Sequence, residues 1–195
     1  MSKVLLTGFS PFAGESINPS ELLVKQFSHK KILNRLVLPV SYEQSFALVK
    51  SETQRHHFSD IIMLGQAGGR SKVCPERFSV NLLDSTLPDA DQKVFQESKI
   101  VESGPEAYRT AFNLADWEIQ AKKKSLPLSV SNSAGTYVCN YLAYQVAHHY
   151  SHLGIRSLFV HLPYLPEQTL NKQAETPSLE ISQMELVLNF IFEQI

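Results

Sequence analysis

Cys139 is the residue whose surroundings most invite a chemical reading. It nearly closes the stretch 127–140, PLSVSNSAGTYVCN, in which an alternating apolar run breaks into small polar residues at 131–135 and a helical pattern follows. With Thr136 as N-cap, Cys139 is the third helical residue. Backbone N–H groups in a first turn lack intrahelical partners, and that end of the helix is partially positive. A thiolate is stabilised there and becomes a better populated nucleophile. The competing reading is a small buried hydrophobe, the common fate of a free cysteine. This stretch by itself leaves both open.

His161 directly follows the apolar run Leu158-Phe159-Val160. A strand-end histidine is ordinarily a satisfied structural residue. Its strand, however, comes next after the Cys139 helix and could return beside it, which would bring imidazole and thiol to one sheet edge. Such a pair can form a thiolate–imidazolium couple, the ring first activating the thiol and later protonating a leaving amine. A third group usually orients the ring. Glu76, in Cys74-Pro75-Glu76-Arg77, is a candidate; alone it would read as an ordinary surface carboxylate.

Other motifs are weaker. GQAGGR is not a GxGxxG fingerprint and no clear helix opens directly after it, and no GxxxxGK[ST] occurs. His148 and His152 have helical spacing for a metal, but no HExxH glutamate accompanies them, and histidines near a helix C-terminus need no metal. No metal and no cofactor are expected.

The elements that must position these residues alternate. Residues 3–7 read as a strand, 18–31 as a helix opened by an Asn-Pro-Ser-Glu start signal, 32–40 as a strand and 41–57 as a helix. DIIML at 60–64 is a strand buried on both faces. Residues 77–83 alternate like a fourth strand, 84–104 form an irregular excursion that could fold as a hairpin over the sheet, and 106–125 are helical in pattern. The opening stretch supplies a strand and a helix, RSLFV at 156–160 another buried strand, and 179–195 an amphipathic helix. This alternation predicts an α/β fold: one domain over residues 1–195, an α/β/α sandwich with a largely parallel, twisted central sheet flanked by helices. In such sheets ligands bind beyond the carboxyl ends of the strands. There the sequence places TGFSPF, GQAGGR, SNSAGTYVC and HLPYLP.

Composition narrows the partners. The chain has 195 residues, 43% of them hydrophobic, and a net charge of −1. That balance points to neither nucleic acid nor an anionic membrane surface. No window approaches a membrane span, and the short apolar run at the N-terminus reads as a strand, not a leader. Two cysteines make no disulfide framework, and a cytoplasmic protein is expected.

The motifs LLTGFSPFAGESINPS, GQAGGR, PER, GPEAY, SVSNSAGTYVCN and HLPYLPEQ, in this order along nearly the whole chain, resemble the pyroglutamyl peptidases, a family of cysteine peptidases. SAGTYVCN and HLPYLPEQ together carry the most specific part of the match. The resemblance implies Cys139 as nucleophile, His161 as base and Glu76 as third member of a triad. It implies N-terminally pyroglutamylated peptides as substrates, cleaved through a thioester acyl-enzyme, and Phe9, Phe12, Asn18, Gln66, Tyr137 and Val138 around the lactam ring. Read from the residues alone, Asn18 could be only a helix cap, and Phe9 and Phe12 only core. A homo-tetramer is a further implication of the family. Three departures stand out: Ala13-Gly14 where members usually have two glycines, Thr86 where many carry arginine, and Asp89-Ala90-Asp91-Gln92 in place of an Asp-Asn-x-Gly turn. They keep two alternatives open: a cysteine amidase acting on another small cyclic or glutamine-like amide, and a weakly active relative serving as a binding protein.

Overall fold

The computed structural model describes residues 2–195; Met1, the first residue of the single-domain reading, lies outside the described residues. Strand β1 (Val4–Phe9) leads into α1 (Pro19–Gln26), β2 (Ile32–Leu38), α2 (Tyr42–Arg55) and β3 (Asp60–Gln66). Short strands follow: β4 (Cys74–Pro75), β5 (Phe78–Val80), β6 (Leu83–Ser85), β7 (Phe95–Ser98) and β8 (Ala107–Arg109). Helices α3 (Leu114–Lys123) and α4 (Val138–Tyr150), strand β9 (Arg156–Leu162), the one-turn α5 (Pro166–Thr169) and α6 (Ile181–Gln194) complete the chain.

The five-stranded sheet runs β2-β1-β3-β9-β4. All its pairings are parallel except that of β4, which is antiparallel to β9. Because side chains alternate along a strand, each central strand feeds two cores. Leu6, Ile62, Leu64, Leu158 and Val160 pack with side chains of α1, α3 and α6. Leu5, Ile61, Met63 and Phe159 pack with α2 and α4. Burial on both faces explains the unbroken apolar runs, and the mostly parallel sheet flanked by helices matches the expected fold class.

The start signals act as their chemistry requires. Asn18 accepts the Ser20 N–H at 2.9 Å ahead of Pro19, and Ser41 accepts the Gln44 N–H at 3.0 Å. Helix α1 stops at Gln26, short of the expected 31, because Phe27 turns to extended backbone and packs against Phe192. Residues 106–125 are not one helix. Their beginning is drawn into β8 by pairing with β5, and α3 starts only after Asn113. The expected hairpin within 84–104 is the β6–β7 pair.

In the β1–α1 loop, Ala13 holds φ +54°, a left-handed conformation that costs a non-glycine residue about 1–2 kcal/mol. Ala13→Gly removes that cost against a chain-entropy penalty of about 0.5–1 kcal/mol. A net gain of about 0.5 kcal/mol is expected in urea unfolding, the entropy penalty offsetting roughly half the relief.

Candidate active site

Alternation along β3 and β9 decides which side chains meet. Phe159 belongs to the core facing α4, and His161, two residues on, shares its face, with the two rings 4.8 Å apart. On the neighbouring strand Gly65 is the register partner of His161. A Cβ built on Gly65 would stand 3.0 Å from Cys139 Sγ and 2.7 Å from Phe159 Cζ. Helix α4 therefore delivers Cys139 to the same patch of sheet that carries His161, and it needs a residue without a side chain there. Gly65→Ala would push the thiol or the Phe159 ring aside. Since a displacement of about 1 Å at a reacting centre can cost roughly 100-fold, a loss of that order in kcat is the expected result for a variant that still folds.

His161 lies in the last turn of the pleat, inside β9 and not after its end as the sequence pattern indicated. Glu76 arrives from the edge: its N–H bonds the Phe159 carbonyl at 2.8 Å, and its Oε1 lies 2.7 Å from His161 Nδ1. Both side chains are buried. Arg70 Nη2 reaches the same Glu76 oxygen at 2.9 Å, while Oε2 is buried without a partner among the described residues. With its Nδ1–H donated to a carboxylate, the ring keeps the Nε2 lone pair for an incoming proton.

The capping residue of α4 is Tyr137, not Thr136, so Cys139 is the second helical residue. Thr136 instead bonds the Asp84 carbonyl through its hydroxyl at 2.5 Å. No side chain caps α4, and among the described residues the N–H groups of Val138, Cys139 and Asn140 have no acceptor. The expectation of a lowered thiol pKa does not hold. Burial pushes the Cys139 thiol up to about 12, the Glu76 carboxylate adds to the rise, and Arg70 and the residue's own N–H oppose it. His161 is held below the ordinary histidine value, chiefly by burial and partly by Arg70, against the pull of Glu76. Both shifts, the thiol upward and the imidazole downward, favour the uncharged forms of the two groups.

A cavity of about 360 Å³ opens beside the thiol. Phe9, Phe12, Asn18, Gln66 and Tyr137 line it with Cys139, whereas Val138 is fully buried in the core beneath. Asn18 serves both as helix cap and as cavity wall; its Nδ2 braces the Ser10 carbonyl at 3.2 Å. Thr86 is exposed on the strap after β6, and its neighbour Leu87 reaches the cavity.

Sequence reasoning passed over several supporting residues. Buried Asn140 accepts the Val80 N–H at 2.9 Å and donates to the Val80 and Leu82 carbonyls at 2.9 and 3.0 Å, clamping the first turn of α4 to the β5–β6 segment. An asparagine directly after the cysteine was the available signal. Arg70 was visible only as the end of a glycine-rich loop. Glu15, Tyr164 and Gln168 lie inside the matched motifs but were given no role, and Lys172 lies outside them.

A family model for pyroglutamyl peptidases matches residues 2–191. The chain belongs to the pyroglutamyl peptidase family. It is 39% identical over 184 residues to a pyrrolidone-carboxylate peptidase of Bacillus licheniformis, a match covering 91% of this chain and 86% of that one. A Vibrio campbellii pyrrolidone-carboxylate peptidase is 37% identical, with 93% and 87% covered. The pyrrolidone carboxyl peptidase of Fervidobacterium islandicum superimposes with a TM-score of 0.92 at 36% identity, covering 99% of this chain and 97% of that chain. This pyroglutamyl peptidase family member is accordingly a cysteine peptidase by class.

Proposed function

We propose that this chain is a cysteine exopeptidase that hydrolyses the amide bond following an N-terminal pyroglutamyl residue, with Cys139 as nucleophile, His161 as general base and acid, and Glu76 orienting the ring. The observation that carries this reading is the buried Glu76–His161 contact of 2.7 Å sharing a patch of sheet with a thiol that opens into an aromatic-walled cavity. The cavity suits a flat, uncharged lactam with one N–H and one C=O. Its carboxylate, Glu15, is already held by Lys172 at 2.7 Å and Gln168 at 3.1 Å, so an N-terminal ammonium group finds no free partner there.

In the reaction, His161 Nε2 takes the thiol proton as Sγ attacks the pyroglutamyl carbonyl carbon. The unpaired N–H groups at the start of α4 hold the developing oxyanion. The imidazolium then gives its proton to the leaving amine, the C–N bond breaks, and a thioester remains. Water, deprotonated by His161, attacks the thioester; the departing sulfur regains a proton and 5-oxoproline leaves. No redox partner is needed at any step.

No helix among the described residues is long and apolar enough to cross a membrane. Both cysteines are free, and the mechanism needs a reduced thiol, which supports a cytoplasmic setting. The test is a panel of fluorogenic amides carrying pyroglutamyl, prolyl and glutaminyl groups, assayed under reducing conditions. Preference for pyroglutamyl supports the proposal. Preference for glutaminyl or prolyl would replace it with an amidase of different specificity, and silence from a folded, reduced protein would favour a binding role.

A further inference from the structure

Among the described residues, Glu15 and Lys172 are the only charged side chains lining the cavity beside Cys139. They come from loops far apart in the chain. Glu15 sits in the β1–α1 loop, where its N–H bonds the Phe12 carbonyl at 3.2 Å; Lys172 follows α5, its N–H on the Thr169 carbonyl at 3.0 Å. Lys172 Nζ meets Glu15 Oε1 at 2.7 Å and stands 4.7 Å from the centre of the ring of Tyr164, another lining residue. Gln168 Nε2 donates to the second carboxylate oxygen at 3.1 Å. The Lys172 hydrogen bond, with help from Gln168, holds the Glu15 carboxyl below its ordinary value against the opposing effect of burial. The two charges cancel on a wall that is otherwise uncharged.

We propose that Lys172 is a specificity-determining residue: by cancelling Glu15 it keeps the cavity without net charge, so that an uncharged lactam ring is admitted and a ring bearing an ammonium group, such as that of proline, is turned away. The inference rests on the pyroglutamyl reading above. The two rings differ little in shape, and apolar walls discriminate poorly between near-isosteric ligands. Charge discriminates better. Leaving water costs an ammonium group far more than a lactam, and with Glu15 already paired no lining carboxylate among the described residues offsets that cost. A Glu15 stripped of its lysine would attract the cation across the cavity, while the neutral lactam would gain little from the same field.

The test uses the full chain, kept reduced, with a fluorogenic pyroglutamyl amide as substrate and prolinamide as competing ligand, its ring nitrogen protonated at neutral pH. The readout is the ratio of the prolinamide inhibition constant to the KM of the pyroglutamyl amide. In Lys172→Met this ratio should fall about 10-fold, less than an unscreened charge would give because the pair is part-exposed. The fall should largely vanish near 1 M salt, where charges are screened beyond about 3 Å, and the wild-type ratio should barely move. Lys172→Arg keeps the charge and should keep the wild-type ratio. Glu15→Gln leaves the lysine unpaired and should raise the ratio by about threefold or more. Combining Lys172→Met with Glu15→Gln makes the lining uncharged again, and the ratio should return to within about twofold of wild type, because the two residues act as one unit. A merely structural Lys172 would weaken both ligands together and the double variant further. An unchanged ratio in Lys172→Met, or a ratio that stays low in the double variant, overturns the inference. A wild-type protein that is folded and reduced yet silent on the pyroglutamyl amide would overturn the functional reading itself. An active wild type with the same ratio as Lys172→Met overturns only the inference drawn here.

Discussion

Cys139→Ala should lose hydrolysis of a pyroglutamyl amide by a factor on the order of 10⁴ or more while leaving the fold intact. Removal of the nucleophile from a triad leaves only binding and oxyanion stabilisation, so the residual rate is small and does not depend on His161. The fold should survive because Sγ makes no hydrogen bond among the described residues and the side chain, though packed against one core, borders a cavity on its other side. The fluorogenic rate of the reduced variant measures the first claim, and its thermal midpoint, expected within a few degrees of wild type, measures the second. Turnover above about 1% of wild type would remove Cys139 from the mechanism, because triad nucleophiles never contribute so little. The other cysteine offers no substitute. Cys74 donates its thiol to the Lys72 carbonyl at 3.2 Å, and burial raises its pKa as well.

What made this site partly legible in the sequence was the alternation of strands and helices. Four apolar strands running into small, aromatic and polar loops marked one sheet edge, and Phe9, Gln66, Cys139 and His161 all fall there. The cap at Asn18 was equally visible, because it depends on neighbours a few residues away. Long-range effects were hidden. Strand β8 forms against β5, about thirty residues upstream, and no local pattern distinguishes it from the start of a helix. The stretch 127–130, expected as a strand, runs extended beside residues 73–77 but joins them only through isolated bridges at Leu128 and Ser131. The thiol pKa was misjudged for a related reason. A position in a helix sequence reveals the favourable first turn, but desolvation and the Glu76 charge come from parts of the chain distant in sequence, and they outweigh it.

Glu76→Gln isolates the charge of the third residue. Glu76 Oε1 receives His161 Nδ1–H at 2.7 Å and Arg70 at 2.9 Å, both donors, so the amide of a glutamine must keep its oxygen toward them. Its NH2 would then occupy the place of Oε2, which is buried with no partner. Ring orientation is therefore preserved and the negative charge is lost. The imidazolium formed during attack is no longer stabilised, and kcat should fall about 10³- to 10⁴-fold, the scale seen when a triad carboxylate becomes an amide. The pH profile separates this from a packing defect. In the proposed mechanism His161 is a base only when neutral, so protonation of the ring would set the acid limb of kcat/KM. Glu76 raises the affinity of the ring for that proton and Arg70 lowers it. Glu76→Gln should therefore move the acid limb to lower pH, because an unopposed Arg70 disfavours the charged ring. Arg70→Met should move the same limb to higher pH, with a smaller loss of kcat because the carboxylate remains on Nδ1. Opposite displacements in two variants of adjoining residues cannot come from general loosening of the site. Shifts in the same direction, or none, would mean that His161 does not titrate in the field of this pair and that the acid limb belongs to another group.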